Sequence, residues 1–387
     1  MANLENCIKI IVTGDFSPIN GVEKAFLEKD YQVIYNDVYP LLQDTDLSIT
    51  NLECPLTNVS NPIAKSGPNL IADPGTILGI KYGGFNVATL ANNHIFDQGE
   101  SGQRDTINTC IQNNIKIVGA GSNLDEASIP LFVEIKGKKI AILNFAESEF
   151  GIATQKSPGA NPLEPISNYY QIKDAKEKSD YVFVIIHGGH EYYEMPSPRM
   201  RKTYRFFADI GVSAVIGHHT HCASGYEIYN GVPIFYSLGN FLFDKKGIPY
   251  KSWYEGFFVI FKICNEGLLT YDLVYYNQSG SRPGLQLKNG KDKEEFVQNL
   301  QKISERITDD TLLNSDWKEF LKSRNNSYFY RLFSLNKLFG RLIRKKLFRG
   351  IVFNNKALLQ TLNIIRCQSH RDILIESLQD RINKRYR

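Results

Sequence analysis

Between residues 7 and 280, short apolar runs rich in β-branched residues alternate with polar breaks, and several runs stop at a residue that can bind a metal or carry a proton. Cys7–Thr13 runs into Gly14-Asp15, Leu47–Leu52 into Glu53, and Phe85–Leu90 into Ala91-Asn92-Asn93-His94. Runs of this length and composition predict strands. Alternation along the second places Asn51 and Glu53 on one side of the backbone, and Pro55 stops the strand. A helix is expected near Ser101–Asn113. Strands follow at Ile115–Val118, Leu131–Ile135 and Lys139–Asn144, the last two joined by a Lys136-Gly137-Lys138 turn. Residues 151–168, rich in Pro, Gly, Asn and Ser, read as a loop able to cover a site.

Two further runs, Tyr181–Ile186 and Val212–Ile216, flank a helical Arg201–Ile210 that Gly211 terminates, which makes a β-α-β unit. Hairpins then dominate: Gly225–Tyr229 and Val232–Leu238 around Asn230-Gly231, and Phe257–Cys264 with Leu269–Tyr276. Helices among early strands and hairpins later predict an α/β protein with a two-layer β core flanked by helices.

The pattern changes at Gln278–Asn289. We place a domain boundary there, giving a body of residues 1–285 and a helical C-terminal region of residues 286–387. Lys293–Arg306, Leu312–Ser323, Tyr328–Arg349 and Lys356–Arg385 read as helices. In the third, Leu335, Leu338, Phe339 and Leu342 form an apolar stripe beside a basic one of Lys337, Arg341, Arg344 and Lys345. Such a helix either packs on the body with a solvated basic face or lies on an anionic membrane.

Charge sharpens that division. The net +4 combines fifteen Lys/Arg and three Asp/Glu from Arg324 onward with a mildly acidic remainder. An acidic body disfavours duplex binding, so no nucleic-acid partner is expected. No apolar run reaches the ~18 residues of a membrane span. The six cysteines lack a CxxC pair and read as reduced thiols. Together these predict a cytoplasmic protein, with peripheral contact at the inner membrane face through the basic tail.

Five of the seven histidines fall between His187 and His221: His187 and His190 after one strand, His218, His219 and His221 after the next. Strand C-termini in such sheets are where sites are usually built. Asp15, Glu53, Asn93, His187, His219 and His221 would together supply carboxylate, amide and imidazole ligands. That mixed N/O set suits one or two divalent ions such as Mn, Zn or Fe. Asp15 alone could equally cap a turn. Two ions ~3.5–4 Å apart clamp a phosphoryl group during in-line attack, and His94 would then be a general acid for the leaving alcohol.

Six blocks in order resemble the CapA family of poly-γ-glutamate capsule biosynthesis proteins, which have a calcineurin-like metallophosphoesterase fold. They are Gly14-Asp15; Asn51-Leu52-Glu53-Cys54-Pro55-Leu56; Ala91-Asn92-Asn93-His94 with Asp97 and Gly99; His187-Gly188-Gly189-His190-Glu191-Tyr192; Gly217-His218-His219-Thr220-His221; and Ser237-Leu238-Gly239-Asn240-Phe241 with Phe243-Asp244. The resemblance implies a four-layer α/β/β/α sandwich and a dinuclear site. Asn93 matches its amide ligand, His94 its general acid, and His219 and His221 its last two ligands. Ser17 stands where the wider superfamily has a histidine. Asn51, Asn92, Asp97, His190, Glu191, His218 and Asn240 are the candidate substrate-binding or supporting residues. The function expected is a metal-dependent phosphoesterase acting on a phosphorylated cell-surface polysaccharide or capsule precursor. The alternative is a non-hydrolytic accessory that binds an anionic polymer precursor at the membrane face.

Overall fold

The computed structural model describes residues 7–264, 267, 269–333 and 355–385. The strands in chain order are β1 (Ile8–Ser17), β2 (Leu47–Leu52), β3 (Val87–Thr89), β4 (Lys116–Val118), β5 (Ala120–Gly121), β6 (Leu131–Ile135), β7 (Lys138–Ala146), β8 (Gly159–Ala160), β9 (Tyr181–His187), β10 (Ala214–His218), β11 (Tyr226–Tyr229), β12 (Val232–Phe235), β13 (Asn240–Phe243), β14 (Glu255–Ile263), β15 (Leu269–Gln278) and β16 (Leu285–Leu287). The helices are α1 (Gly21–Leu27), α2 (Tyr31–Tyr35), α3 (Tyr39–Gln43), α4 (Ile77–Tyr82), α5 (Gly99–Gln112), α6 (Leu124–Ala127), α7 (Pro165–Glu177), α8 (Pro198–Ile210), α9 (Gly290–Thr308), α10 (Asp310–Phe333), α11 (Asn355–Arg366) and α12 (Gln368–Arg385).

One sheet runs β16-β15-β14-β1-β2-β3-β4, with β13 also paired to β1; a second runs β11-β12-β10-β9-β7-β6. Period-two alternation gives each sheet two apolar faces. Ile10 and Val12 of β1 meet Ile142, Phe183, Ile185 and Ile216 of the other sheet, whereas Ile11 faces away into a separate core. That outer core holds Phe26, Tyr35, Leu42, Ile80 and Cys110 from α1 to α5. On the opposite side Leu143, Val184 and Val215 pack under Ile172 of α7 and Tyr204 and Phe207 of α8. The order of layers is therefore helices, sheet, sheet, helices, the four-layer sandwich expected.

The differences from expectation are local. The short helices α1 to α4 lack the two or more turns of periodicity that would reveal them. Within residues 151–168, Gly159–Ala160 pairs with Ala120–Gly121 and α7 starts at Pro165, where the Glu164 side chain accepts from the Ser167 N–H. That stretch is tied down by this separate two-stranded pairing. The segment that lines the mouth of the site is instead the loop from Lys65 to Ile71. The helix read over Lys356–Arg385 is two, broken at Cys367. Most of the basic segment Tyr328–Arg349 lies outside the described residues. α9 buries Phe296, Leu300, Ile303 and Ile307 against the body, the i, i+4, i+7, i+11 spacing of one helix face.

The cysteine reading is corrected. Antiparallel pairing sets Ile8 opposite Ile263, so the next residues out, Cys7 and Cys264, face each other and form a disulfide. Cys54, Cys110, Cys222 and Cys367 are free and buried. Disulfides persist in oxidising compartments, so the reduced-thiol argument for a cytosolic protein falls away. Alkylation after unfolding without reductant should label four thiols, and all six after reduction; six labelled in the first step would refute the bond.

Candidate functional site

β1, β2, β9 and β10 all release their last residues at one end of the sandwich. β1 pairs in parallel with β2, which brings Asp15 level with Asn51, and β9 pairs in parallel with β10, which brings His187 level with His218. β1 also crosses close to the chain before β13. A Cβ on Gly14 would sit 2.0 Å from the Gly239 carbonyl oxygen, so only glycine lets Asp15 N–H donate to that carbonyl at 3.0 Å. After β10 the chain turns sharply, with His219 at φ 92° and His221 at φ 56°. Left-handed non-glycine residues cost free energy and concentrate at functional sites. Here they aim two imidazoles into one cavity.

Two groups of ligand-type atoms converge, and both include Glu53: Glu53, His187 and His219 in one, Asp15, Glu53 and His221 in the other. In the first, His187 Nε2 lies 3.0 Å from His219 Nδ1, 3.0 Å from Asn93 Oδ1 and 3.5 Å from Glu53 Oε1. Ligand atoms ~2.0–2.2 Å from one ion stand at such separations from each other. In the second, His221 Nδ1 lies 3.5 Å from Asp15 Oδ2 and its Nε2 3.8 Å from Glu53 Oε1. This group is the poorer one, because Ser17 offers only a buried hydroxyl without a hydrogen-bond partner.

The supporting residues orient these atoms. Asn240 Oδ1 is 2.9 Å from His221 Nδ1, which leaves Nε2 facing Glu53. Asn51 donates to Asp15 Oδ1 at 2.8 Å and its Nδ2 lies 3.1 Å from His187 Nδ1. Asn92 donates to the Leu52 carbonyl at 2.9 Å and accepts from His94 N–H at 3.1 Å, which fixes the loop that carries His94. His218 Nδ1 is 3.3 Å from Asp15 Oδ1, but neither ring nitrogen is aligned for a hydrogen bond. Partners of this kind set ligand orientation and basicity.

His94 sits at the edge of the cluster, with Nε2 3.9 Å from Glu53 Oε1 and Nδ1 2.6 Å from Asp97 Oδ2. Burial, aided by the Lys65 ammonium, holds its pKa below the usual histidine value against the pull of Asp97. Lys65 was not legible as a site residue. It pairs with Asp97 and reaches His94 Nδ1 at 3.2 Å from a loop that has no periodic signal. Two sequence candidates are placed apart from the cluster. His190 donates toward the Ser369 carbonyl at 2.8 Å and packs on Trp317, and Glu191 stands exposed at the cleft wall. Glu149, which was not singled out, is buried and accepts from Asn93 Nδ2 at 2.8 Å. It follows β7 as Glu53 follows β2, a strand-end position of the same kind.

The electrostatics call for a cation. Both Glu53 oxygens are buried without a hydrogen-bond partner. Burial, then the Asp15 charge, pushes the Glu53 carboxyl well above the usual range. Burial works against the His221 imidazolium, yet Glu53 and Asp15 overcome it and raise the group to about 10. Burial would raise Asp15 too, but His218 and His221 hold it well below the usual carboxylate range. His187, surrounded by other imidazoles, is held low by burial and by His219. An isolated buried carboxylate is costly, and a divalent ion between Asp15 and Glu53 would supply the missing positive charge. The residues therefore fit one or two divalent ions. A cleft of about 380 Å3, lined by Lys65, His94, Glu149, Tyr192, Lys245 and Trp253 among others, opens over them.

Comparison with known proteins follows the same residues. Residues 9–245 match the family described as bacterial capsule synthesis protein PGA_cap. The PGA biosynthesis protein CapA of Bacillus subtilis (strain 168) is 36% identical over 236 residues, 60% of this chain and 62% of that protein. The capsule biosynthesis protein CapA of Bacillus anthracis is 31% identical over 284 residues, 71% of this chain and 68% of that one. The chain thus spans about two thirds of the length of these relatives. A solved 5'-nucleotidase precursor from Thermus thermophilus aligns with 77% of this chain and 59% of its own at 12% identity and a TM-score of 0.38. The family match covers every converging ligand-type residue from Asp15 to His221, and the chain belongs to the bacterial capsule synthesis protein PGA_cap family.

Proposed function

We propose that this protein is a metal-dependent phosphoesterase acting on a phosphorylated cell-surface polysaccharide or capsule precursor. Glu53 carries the reading: a buried carboxylate with no hydrogen bond to either oxygen, placed between two sets of ligand atoms. Glu53, Asn93, His187 and His219 would hold one ion, and Asp15, Glu53 and His221 a second. The ions, when bound, neutralise phosphoryl charge and lower the pKa of the attacking water.

The remaining roles belong to the chain. Lys65 and Lys245 both line the cleft; Lys65 is paired with Asp97, and the exposed Lys245 attracts an anionic substrate. Asp97 holds His94 through Nδ1, so Nε2 faces the reacting group. That nitrogen donates the proton the leaving alkoxide needs, and Asp97 supports the imidazolium beforehand. Tyr192, Phe243 and Trp253 give the cleft an aromatic wall, against which a sugar ring can pack. A panel of phosphomonoesters and phosphodiesters, with Mn2+ added, tests the reading. Turnover that EDTA abolishes and Mn2+ restores is expected; a metal-loaded protein inert on the whole panel would leave the accessory reading, in which the same cleft only binds an anionic polymer. That alternative draws on the relatives, which are described as capsule biosynthesis proteins and, in Mycobacterium tuberculosis, as a probable polyglutamine synthesis accessory protein.

Peripheral membrane contact has an observation of its own. Among the described residues no helix is long and apolar enough to cross a membrane. Along α11, however, Leu358, Leu362 and Ile365 are 48%, 45% and 54% exposed, at helical spacing and between Lys356 and Arg366. Apolar insertion plus basic attraction, each basic residue contributing about 1 kcal/mol, supports reversible docking to an anionic surface. The protein should pellet with phosphatidylglycerol vesicles but not phosphatidylcholine vesicles, and serine at all three positions should release it. Binding indifferent to lipid charge would remove the membrane reading.

A further inference from the structure

Glu149 joins the candidate metal site to the far end of the chain. Its Oε2 accepts from Asn93 Nδ2 at 2.8 Å and lies 4.0 Å from His219 Nε2. Its Oε1 faces Asn363 Nδ2 and His370 Nε2, each at 3.2 Å. Asn363 belongs to α11 and His370 to α12, more than a hundred residues beyond the family match at 9–245.

These contacts are part of a dense seam. Ser148 N–H donates to Gln368 Oε1 at 2.9 Å, and Gln368 Nε2 donates to the Leu163 carbonyl at 3.3 Å. Ser369 Oγ donates to Glu147 Oε2 at 2.5 Å, while its carbonyl faces His190 Nε2 at 2.8 Å. Arg199 bridges Glu147 and, at 2.6 Å, Asp372. The break at Cys367 between two helices is what turns residues 368, 369 and 370 toward the strand-end loop after β7.

The chemistry at Asn93 shows what the seam does. A carboxamide can bind a cation only through its oxygen. Because Nδ2 is engaged by Glu149, Oδ1 is the end that faces His187 Nε2, at 3.0 Å. Glu149 also sits on the Nε2 side of His219, whose Nδ1 faces the ligand cluster. At 4.0 Å this carboxylate acts on the ring through its charge, which favours the Nε2–H tautomer and leaves Nδ1 as the basic nitrogen. A Glu149 left without Asn363 and His370 would be free to turn away from both.

We propose that the connector of residues 363–370 is a working part of the metal site, with Asn363 and His370 holding Glu149 so that it presents the Asn93 oxygen to an ion and stands behind the His219 ring. Glu149, Asn363 and His370 are positioning residues. The inference rests on the metal reading above and extends it beyond the matched family region.

Calorimetric titration of the full chain with Mn2+ alone, paired with the absorption spectrum of the Co2+ form, tests it. Partners behind metal ligands typically contribute 10–100-fold in affinity. Glu149→Ala and the double variant Asn363→Leu/His370→Leu should weaken the tighter Mn2+ site by about that factor and alter the Co2+ bands. His370→Gln, which can still donate toward Glu149, should recover most of the affinity. Asp372→Asn weakens only the Arg199 ion pair, just beyond that connector, and should bind Mn2+ as wild type does. Should the double variant fail to fold, Glu149→Ala decides. Wild-type affinity in Glu149→Ala, or an equal loss in Asp372→Asn, overturns the inference while leaving the metal reading intact. No Mn2+ binding by the wild type overturns the metal reading and this inference with it.

Discussion

Glu53→Gln should abolish tight binding of both ions while leaving the metal-free fold no less stable than wild type. Most buried ligands make other bonds that hold the fold, as Asp15 does with Asn51 and the His219 N–H. Glu53 makes no hydrogen bond through its side chain, and the imidazole nitrogens of His187, His221 and His94 stand 3.5, 3.8 and 3.9 Å from its Oε1. Its burial and its proximity to Asp15 already disfavour the charged form in the metal-free protein. An amide of the same shape removes that electrostatic cost, and it removes the one residue common to both ligand groups. An ion at a hundred times its Kd stabilises the native state by ~2.7 kcal/mol. Wild type should therefore show a Mn2+-dependent rise in Tm that Glu53→Gln lacks, with elemental analysis finding bound metal only in wild type. His219→Ala/His221→Ala, which removes one imidazole from each group, should also lose metal. A Glu53→Gln protein that retains two ions would contradict the bridging placement. Sharply reduced metal-free stability would mean that Glu53 has a structural role the geometry does not show.

How far the sequence reveals this site depends on how far the information travels along the chain. Asp15, Glu53, Asn93, His187, His219 and His221 each follow a β-branched run, and a strand fixes the residue that leaves it. Five such endings at one end of two packed sheets, the last carrying both His219 and His221, were legible for that reason. Glu149 carries the same signal after β7, but Glu147-Ser148-Glu149 has the local composition of an ordinary solvated turn. Lys65 lies in an irregular loop, where neither periodicity nor capping marks its place. His190 stands within the motif of His187, yet its partners Trp317 and Ser369 come from the C-terminal helices, and no local pattern predicts that packing. Cys7 and Cys264 illustrate the same limit: their pairing follows from the register of β1 against β14, which is a property of the assembled sheet. Asn363 and His370 were beyond reach for the same reason. A helix face can be read from sequence, but not the loop it will be pressed against.

His94→Ala should keep its metal and lose activity in proportion to how badly the leaving group needs a proton. His94 is not among the atoms of either ligand group, so its removal leaves the Glu53, His187 and His219 group intact. Its ring is held by Asp97 at Nδ1, and Nε2 faces the cluster at the floor of the cleft. Burial and Lys65 lower its pKa, which makes the protonated ring a stronger donor to a departing alkoxide. Loss of one proton-transfer group typically costs ~10²–10⁴ in rate. That loss should appear in full on alkyl phosphate esters and should shrink by at least tenfold on a nitrophenyl ester, whose phenolate leaves without help. Asp97→Asn should follow the same pattern more weakly, since it disturbs the support of the ring but leaves the ring in place. The two substrates separate acid catalysis from every other role for His94. A residue that bound substrate or held the ion would cost both equally, so parallel losses on the alkyl and nitrophenyl esters, or missing metal in His94→Ala, would take the general-acid assignment away.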